Sequence, residues 1–265
     1  MPLCADPRVR AITFTGSREA GQAITAAAGV KHFLMELGAN CPLVIAADGD
    51  LEQAAKATAI GGYSNAGQVC ISTQRILVER PAYDEFLDRL AEKVTAIKAG
   101  DPMAAETTMG PLINSRECGR VAEIVAEAAA AGARIVAGGE GDGAVYAPTI
   151  VADAPDESRI FQEELFGPAV AVRRVDDLDE AIEISNSSEY GLAAGIFTES
   201  VHTALRFSRE IEAGVVQLNW SPLWRPDSMP YGGLKQSGIG KEGPRFAVQE
   251  LTELKTVVFH PPAEE

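Results

Sequence analysis

Histidine and cysteine, the usual ligands of structural zinc, are scarce in this sequence. The 265 residues include three histidines and four cysteines. The histidines are His32, His202 and His260, and the cysteines are Cys4, Cys41, Cys70 and Cys118. The cysteines are widely spaced and include no C-x-x-C pair. We therefore expect neither a metal site nor a disulfide framework, and reduced thiols in the cytoplasm fit best.

Basic residues and long apolar runs are also in short supply. The 23 lysines and arginines are outnumbered by 38 acidic residues, which gives a formal net charge of −15. A surface this acidic repels phosphate backbones and anionic lipids, so we expect no binding to nucleic acid or to a membrane. No apolar run reaches transmembrane length. We also expect no signal peptide, because the stretch MPLCADPRVRAITF lacks an apolar core.

The sequence does contain a regular alternation of short apolar strands and amphipathic helices. Strand character is found in VRAITFTGS, KHFLMELG, QRILVER, ARIVAGG, AVAVRRV, LAAGIFTES and GVVQLNW. Helix character is found in REAGQAITAAAGV, DLEQAAKATAIGGY, YDEFLDRLAEKVTAIKAG, SRECGRVAEIVAEAAAAG, DLDEAIEISNSS and VHTALRFSREIEAG. We expect the second of these helices to loosen at Gly61 and Gly62, and the third to include Ile97 and close at Gly100. The alternation predicts an α/β fold with a mainly parallel sheet.

The stretch FTGSREAG, residues 14–21, joins a strand to a helix through a tight turn. The first N–H groups of a helix are unpaired and lie at its positive end, so such a turn can bind a phosphate or pyrophosphate. The spacing is not the complete G-x-G-x-x-G fingerprint. Gly16 and Ser17 therefore fit a pyrophosphate site and an ordinary strand-to-helix turn about equally well.

Two further residues are candidates for chemistry. Glu36 ends an apolar strand in MELGANCP, and α/β folds bind ligands at the carboxyl ends of parallel strands. Cys70 ends the stretch NAGQVC, and a thiolate attacks carbonyl carbon when its pKa is lowered or a base is near. The alternatives are an exposed strand-end acid for Glu36 and simple packing of a small side chain for Cys70.

Two more segments are distinctive without being specific. EELFGP, residues 163–168, is also typical of a turn from a helix to a strand, and MPYGGLKQSGIGKEG, residues 229–243, has the glycine content of a close-packed loop. Together with FTGS, ELG at Glu36 and GQVC at Cys70, they resemble the aldehyde dehydrogenase superfamily in order and spacing. The resemblance extends from about residue 7 to about residue 259. ELGANCP and RPDSMPYGG look most like the branch that handles lactaldehyde, phosphonoacetaldehyde and related short polar aldehydes.

The resemblance implies an aldehyde dehydrogenase-like α/β fold and NAD(P)⁺-dependent oxidation of an aldehyde to a carboxylic acid. Cys70 matches the catalytic cysteine, whose thiolate forms a thiohemiacetal that becomes a thioester as hydride passes to NAD or NADP. Glu36 matches the general base that activates water for hydrolysis of the thioester. Arg225 and Tyr231 match positions on the substrate side. Arg225 there is equally consistent with binding an anionic aldehyde and with a solvated loop arginine.

The same resemblance assigns residues to the cofactor. Gly16 and Ser17 match the turn beside the pyrophosphate, and Leu37 matches the position whose backbone faces the carboxamide. Glu164 matches the acid that binds the nicotinamide ribose, and Phe166 matches the aromatic residue beside the nicotinamide.

Family members are nearly twice as long as this chain, which lacks the PWN asparagine of the oxyanion hole and the lysine that binds the adenosine ribose. The resemblance therefore implies the carboxyl-terminal portion of an aldehyde dehydrogenase. Residues 1–38 would be the end of the dinucleotide-binding domain and 39–236 the catalytic domain. Residues 237–265 would return to the cofactor domain and end in an oligomerisation strand.

We expect a homo-oligomer, a dimer or tetramer, at full length, and no competent dehydrogenase from this chain alone. Two alternatives remain. One is a non-catalytic remnant that associates with partners through the strand ELKTVVF. The other is a cofactor-independent thiol esterase that uses only Cys70 and Glu36.

Overall fold

The computed structural model describes residues 2–261, which form helices and strands in close alternation. The strands are β1 (Ala11–Thr15), β2 (His32–Glu36), β3 (Cys41–Ile45), β4 (Thr73–Glu79), β5 (Arg134–Ala137), β6 (Gly141–Asp142), β7 (Val145–Tyr146), β8 (Thr149–Ala152), β9 (Ala169–Val175), β10 (Tyr190–Gly191), β11 (Ala193–Phe197), β12 (Val215–Leu218), β13 (Leu234–Lys235) and β14 (Gly238–Ile239). The α-helices are α1 (Pro2–Ala5), α2 (Arg18–Ala28), α3 (Leu51–Tyr63), α4 (Tyr83–Thr95), α5 (Ser115–Ala130), α6 (Arg159–Gln162), α7 (Leu178–Asn186), α8 (Val201–Glu210) and α9 (Pro244–Glu250).

A seven-stranded sheet with the order β12-β11-β3-β4-β9-β8-β5 forms the centre of the core. Its strands are parallel except β5, which runs antiparallel to β8. Leu43, Val44 and Ile45 of β3 lie beside Ile76, Leu77 and Val78 of β4, and all six side chains are fully buried. The predicted α/β fold with a mainly parallel sheet is thus confirmed.

Helices cover both faces of this sheet, which is why its central strands contain runs of buried apolar residues on both faces. The crossover from β3 through α3 to β4 runs in the opposite direction along the sheet to the crossover from β9 through α7 to β11. Since such crossovers are right-handed, the two helices lie on opposite faces. Helix α4 packs beside α3, and α8 packs beside α7.

A second, three-stranded sheet is built from the two ends of the sequence. β1 and β2 are parallel, and β14 pairs antiparallel with β2. Helix α2 connects β1 to β2. Ser17 caps its start with a side chain that accepts a hydrogen bond from the Ala20 N–H, and Gly29, with a positive φ of 68°, caps its end.

Two strands of the large sheet were not recognised in the sequence, namely β3 and β8. β3 follows β2 after only the connection Leu37–Asn40, so no helical pattern separates the two strands. β8 begins directly after Pro148 in a glycine-rich stretch, and it has only four residues. Runs this short carry too little periodicity to be distinguished from loops.

Two expectations about helices were wrong. Helix α3 continues through Gly61 and Gly62 to Tyr63, because these glycines let it approach the sheet. A Cβ at Gly61 would lie 2.6 Å from the Thr73 hydroxyl, and one at Gly62 would lie 2.6 Å from a Val170 methyl group.

Helix α4 ends earlier than predicted, at Thr95. The Thr95 hydroxyl bonds to the carbonyls of Ala91 and Glu92 and so competes with the helical hydrogen bonds. Ile97 lies beyond the helix, although its side chain still packs against the core.

The segment after α9 has no helix or strand from Glu253 to Phe259 in this single chain. Its apolar side chains, among them Leu254 and Phe259, are largely exposed. The oligomerisation strand expected here remains a prediction, and residues 262–265 of that segment and Met1 lie outside the described residues. Within residues 2–261, no helix combines the length and the apolar character needed to cross a membrane.

Candidate active site

Most of the predicted site residues lie at or near the ends of strands of the two sheets. β1 and β2 end at Thr15 and Glu36, so their carboxyl ends contribute Gly16, Glu36 and Leu37. The large sheet contributes the opposite ends of its strands. Cys70 lies shortly before the start of β4, and the segment with Glu164 and Phe166 lies shortly before the start of β9.

Two cavities meet at Cys70. The first, which we call the Glu164 cavity, has a volume of about 490 Å³ and is lined by Gly16, Ser17, Leu37, Glu164 and Phe166. The second, the Glu36 cavity, has a volume of about 400 Å³ and is lined by Glu36, Arg225 and Tyr231. Cys70 and Thr15 line both cavities. The structure therefore brings all the predicted site residues together around one sulfur atom.

A run of left-handed backbone carries the chain toward Cys70. Asn65, Ala66 and Gly67 have φ angles of 51°, 54° and 69°. Such angles are unfavourable for residues other than glycine, so this loop is held by its surroundings. At Gly67 the surroundings are close, because a Cβ there would lie 2.1 Å from the carbonyl oxygen of Gly167. The loop that carries Cys70 and the loop that carries Phe166 thus touch through backbone.

The Cys70 thiol is half-buried and lies 2.9 Å from the hydroxyl of Tyr231. Burial raises the pKa of Cys70, the nearby Glu36 carboxyl raises it further, and the hydrogen bond with Tyr231 lowers it. A second sulfur is close, since the buried Cys41 thiol lies 3.7 Å from the backbone oxygen of Cys70. Burial also raises the pKa of Cys41, which keeps that thiol neutral.

Glu36 is a buried carboxyl group without a hydrogen-bond partner. The residue is 4% exposed, and neither side-chain oxygen is bonded within the described residues. Burial raises its pKa to about 8, and the nearby carboxyl of Glu242 adds to the increase. The cations Lys241 and Arg225 oppose the shift but do not cancel it. A carboxyl group with this pKa can act as a general base just above neutral pH.

Glu164 is anchored at the wall of its cavity. One carboxylate oxygen accepts a hydrogen bond of 3.0 Å from the Ala39 N–H. Burial raises the pKa of Glu164, and the bond to Ala39 lowers it. A Cβ at Gly38 would lie 2.9 Å from the other oxygen, so glycine keeps that oxygen accessible. Phe166 nearby has a left-handed backbone and a partly exposed ring.

The start of α2 forms another part of the Glu164 cavity. The Ser17 side chain caps the helix, and the Gly16 N–H donates to the Glu36 carbonyl oxygen. Glu19 in the first turn lines the same cavity. Its pKa is lowered mainly by a hydrogen bond from its own backbone N–H, so a carboxylate already occupies part of this positive helix end.

Arg225 is already paired with a carboxylate and is not fully solvated. Its guanidinium group lies 4.0 Å over the ring of Tyr231 and donates to a Glu242 oxygen at 2.9 Å. The side chain is 28% exposed and lines the Glu36 cavity. An anionic ligand could reach this cation only in competition with Glu242.

Several residues that shape the site were missed in the sequence. Asn40 and Gln74 are buried amides whose side-chain N–H groups donate to the Glu163 carbonyl oxygen, and Gln74 also accepts from the Leu165 N–H. Gln74 stands at the start of the predicted strand QRILVER, where a buried polar side chain must find a partner. That position was the available signal. Glu242 lies in the glycine-rich stretch MPYGGLKQSGIGKEG, and its pairing with Arg225 has no signal in the sequence.

Within residues 2–261, no group of three or more histidine, cysteine, aspartate or glutamate side chains could hold a metal ion.

The sequence matches the aldehyde dehydrogenase family over residues 1–257. This chain belongs to the aldehyde dehydrogenase family. The family predicted from the motifs is therefore confirmed.

Named relatives of this family member differ in their substrates. It is 44% identical over 258 residues to the 3-sulfolactaldehyde dehydrogenase of Priestia aryabhattai. The aligned region covers 97% of this chain and 54% of that relative. The chain is 37% identical to the lactaldehyde dehydrogenase of Methanococcus aeolicus, over 96% of this chain and 54% of the relative. The chain thus spans about half the length of the curated relatives that it matches.

A solved structure supports the fold assignment. The glyceraldehyde-3-phosphate dehydrogenase GapN of Methanocaldococcus jannaschii, complexed with NADP, superposes with a TM-score of 0.92 at 37% identity. The superposition covers 95% of this chain and 55% of that protein. The aldehyde dehydrogenase-like α/β fold is therefore established for this family member.

The buried Glu36 carboxyl makes stability depend on pH. The native state keeps the Glu36 proton up to about pH 8, whereas an exposed glutamate loses it near pH 4.3. Between these values the native state binds the extra proton, so stability falls as pH rises, by at most about 1.4 kcal/mol per pH unit. Glu36→Gln should remove this slope and make the protein more stable than wild type above pH 8.

Urea unfolding of wild type and Glu36→Gln across this pH range is the measurement, with the exposed Glu106→Gln as a matched control. Only Glu36→Gln should show a stability difference that grows with pH and then levels off. A difference that is the same at every pH would refute the assigned burial of a titrating carboxyl.

Proposed function

We propose that this chain carries the covalent chemistry of an NAD(P)⁺-dependent aldehyde dehydrogenase. The observation that carries the proposal is the position of the Cys70 thiol at the junction of the Glu164 and Glu36 cavities. One cavity offers the residues expected to hold a cofactor, and the other offers a base and a cation for an aldehyde and a water molecule. A sulfur that lines both can react with a substrate in one cavity beside a group bound in the other.

The Glu164 cavity suits one end of a dinucleotide better than the other. Its volume of about 490 Å³ is typical of a ligand pocket. The accessible oxygen of Glu164 can accept hydrogen bonds from ribose hydroxyls, and Phe166 and the Leu37 backbone would flank the nicotinamide. At Gly16 and Ser17 a pyrophosphate would meet the Glu19 carboxylate, which opposes it. When bound, NAD or NADP supplies the hydride acceptor.

The protein's own residues provide the remaining steps. The sulfur of Cys70 adds to the aldehyde carbon and holds the substrate as a thiohemiacetal. Once a bound NAD or NADP had accepted the hydride of that carbon, an acyl group would remain on the sulfur. Glu36 removes a proton from the water that attacks this acyl group, and it can do so once its own carboxyl has ionised, near or above pH 8. Sulfur is suited to both steps because it is a good nucleophile and a good leaving group from a thioester.

Cys70 and Glu36 line the same cavity without any contribution from a cofactor. This observation favours thiol esterase activity as a second candidate function, which this chain could perform alone. A non-catalytic remnant would have no use for a buried, unbonded carboxyl beside a thiol, so we regard that alternative as less well supported.

The two sheets also support a division of the chain into two domains. We propose that residues 1–38 and 237–265 belong to the cofactor domain, since β1, β2 and β14 form one sheet, and that 39–236 form the catalytic domain. The exposed apolar segment from Glu253 to Phe259 would pair with another chain in a homo-oligomer of the full-length enzyme.

An activated ester tests the covalent chemistry directly. p-Nitrophenyl acetate should acylate Cys70, and wild type should turn over slowly as water removes the acetyl group. Glu36→Gln should slow deacylation by about 10²–10⁴-fold while acylation changes little, because only the water step needs the base. Stopped-flow kinetics and intact-protein mass spectrometry would record both steps.

Cys70→Ala is the control and should not form the acyl-enzyme. Equal slowing of both steps in Glu36→Gln would assign that residue a structural role instead. If wild-type Cys70 is not acylated at all, the proposed chemistry is wrong for this chain.

Dinucleotide binding by the isolated chain should be weak. The Glu164 cavity offers contacts for the nicotinamide ribose, but few for the rest of a large ligand whose ordering must be offset by many contacts. Calorimetric titration with NAD⁺ and NADP⁺ should give millimolar or weaker binding, and no steady aldehyde oxidation. Micromolar binding with turnover would contradict this expectation.

Arg225 should favour anionic substrates. The Priestia aryabhattai relative and the Methanocaldococcus jannaschii structure are named for aldehydes with a sulfonate and a phosphate, which supports a cation in the substrate cavity. Cys70 offers a direct assay, because iodoacetate and iodoacetamide differ mainly in charge. Arg225→Ala should lower the ratio of the iodoacetate rate to the iodoacetamide rate at Cys70 about five- to tenfold. Peptide mapping would measure both rates.

Arg225→Lys is the matched control, since it keeps the charge and loses the planar fork. It should give an intermediate ratio. An unchanged ratio in Arg225→Ala would exclude anion recognition by this side chain.

A further inference from the structure

Tyr231 makes a contact that a residue of a passive cavity wall would not need. Its hydroxyl lies 2.9 Å from the sulfur of Cys70, and the residue is 3% exposed. The apolar residues around it, such as Ile71 and Leu192, would accommodate a phenylalanine equally well. The hydroxyl group is the part of this side chain that packing does not explain.

Three contacts fix the direction of this hydroxyl. The Arg225 guanidinium lies over one face of the ring at 4.0 Å. The Tyr231 N–H donates to the Glu242 carbonyl oxygen at 3.1 Å, and the Glu242 N–H donates back to the Tyr231 carbonyl oxygen at 2.6 Å. Backbone and ring are therefore both held, and the hydroxyl points at sulfur without relying on a flexible side chain.

When Cys70 is ionised, only Tyr231 can donate the hydrogen bond between the two side chains. A thiolate carries no proton, so the phenol must donate to it. Burial raises the pKa of Tyr231, and the neighbouring Cys70, Cys41 and Glu36 raise it further, so the phenol keeps its proton. Hydrogen bonds to a charged sulfur are stronger than those to a neutral thiol, and the contact therefore favours ionisation.

The other groups that face Cys70 make this donor important. Burial and the carboxyl groups of Glu36 and Glu164 all oppose a negative charge on the sulfur. The backbone N–H of Ile71 and the hydroxyl of Tyr231 favour it. The Arg225 cation lies over the tyrosine ring and is paired with Glu242.

We propose that Tyr231 is a catalytic residue that donates its hydroxyl hydrogen bond to the Cys70 thiolate and so brings the nucleophile into use at lower pH. The proposal rests on the proposed function in one respect, the assignment of Cys70 as nucleophile. In the reaction, the sulfur electron pair forms the bond to the aldehyde carbon and the carbonyl π electrons move to the oxygen. Tyr231 keeps its proton throughout.

The test is the pH dependence of Cys70 alkylation by iodoacetamide in Tyr231→Phe, measured on this chain by peptide mapping. The substitution removes the hydroxyl and keeps the ring under Arg225. The midpoint of the pH dependence should rise by about one to two pH units. At pH values below the wild-type midpoint, alkylation should therefore be about ten- to a hundredfold slower than in wild type. Tyr83→Phe is the matched control, because the Tyr83 hydroxyl bonds to Asp153 instead of to Cys70. The midpoint of Cys70 alkylation should not move in this variant.

Thiolate ultraviolet absorbance, taken as a difference against Cys70→Ala, gives a second reading of the same midpoint. Thermal unfolding checks that Tyr231→Phe is folded. If Tyr231→Phe does not fold, Tyr231→Met takes its place. An unchanged or lowered midpoint would overturn the proposal. Neither reading needs an aldehyde or a cofactor, so failure here is distinguishable from failure of ester turnover, which would overturn the proposed function instead.

Discussion

The connection Leu37–Asn40 joins the carboxyl end of β2 to the amino end of β3, and its hydrogen bonds hold three distant parts of the chain together. The Leu37 N–H donates to the Ser237 carbonyl oxygen, and the Ser237 hydroxyl donates to the Gly38 carbonyl oxygen. The Ala39 N–H binds Glu164. Because the connection is short and is bonded to each of them, the small sheet, the glycine-rich return and the loop before β9 have one relative position. The two cavities exist because of that position.

The site that results is unfavourable to charge. Burial raises the pKa of Glu36, Glu164 and Cys70, while the cations nearby are paired or lie to one side. A thiol and a base that are mostly neutral at rest avoid the expense of two buried anions. Such groups ionise when a substrate or a hydrogen-bond donor compensates them, which ties reactivity to occupancy of the cavities.

Much of the fold was readable from the sequence, since long helices with caps and apolar strands carry strong periodic signals. β3, the strand beside β4 at the centre of the core, was not, because no helix separates it from β2. The ligand rule for parallel strands drew attention to Glu36 at the end of β2, and the structure places this residue in the wall of the Glu36 cavity. It gave no help with Cys70 and Glu164, which precede strands of the other sheet. The roles expected for those residues came from resemblance. The contact of Cys70 with Tyr231 and that of Arg225 with Glu242 became visible only in three dimensions.

The unbonded carboxyl of Glu36 has a meaning for the history of such a chain. A residue that lowers the stability of the native state is kept only while something depends on it. In a lineage freed from that demand, an amide or an apolar residue at this position would improve folding at once, whereas changes at Gly67 would still be opposed by the backbone of Gly167. Under relaxed selection, a substitution at position 36 would therefore be expected before any change in the residues that hold the surrounding fold.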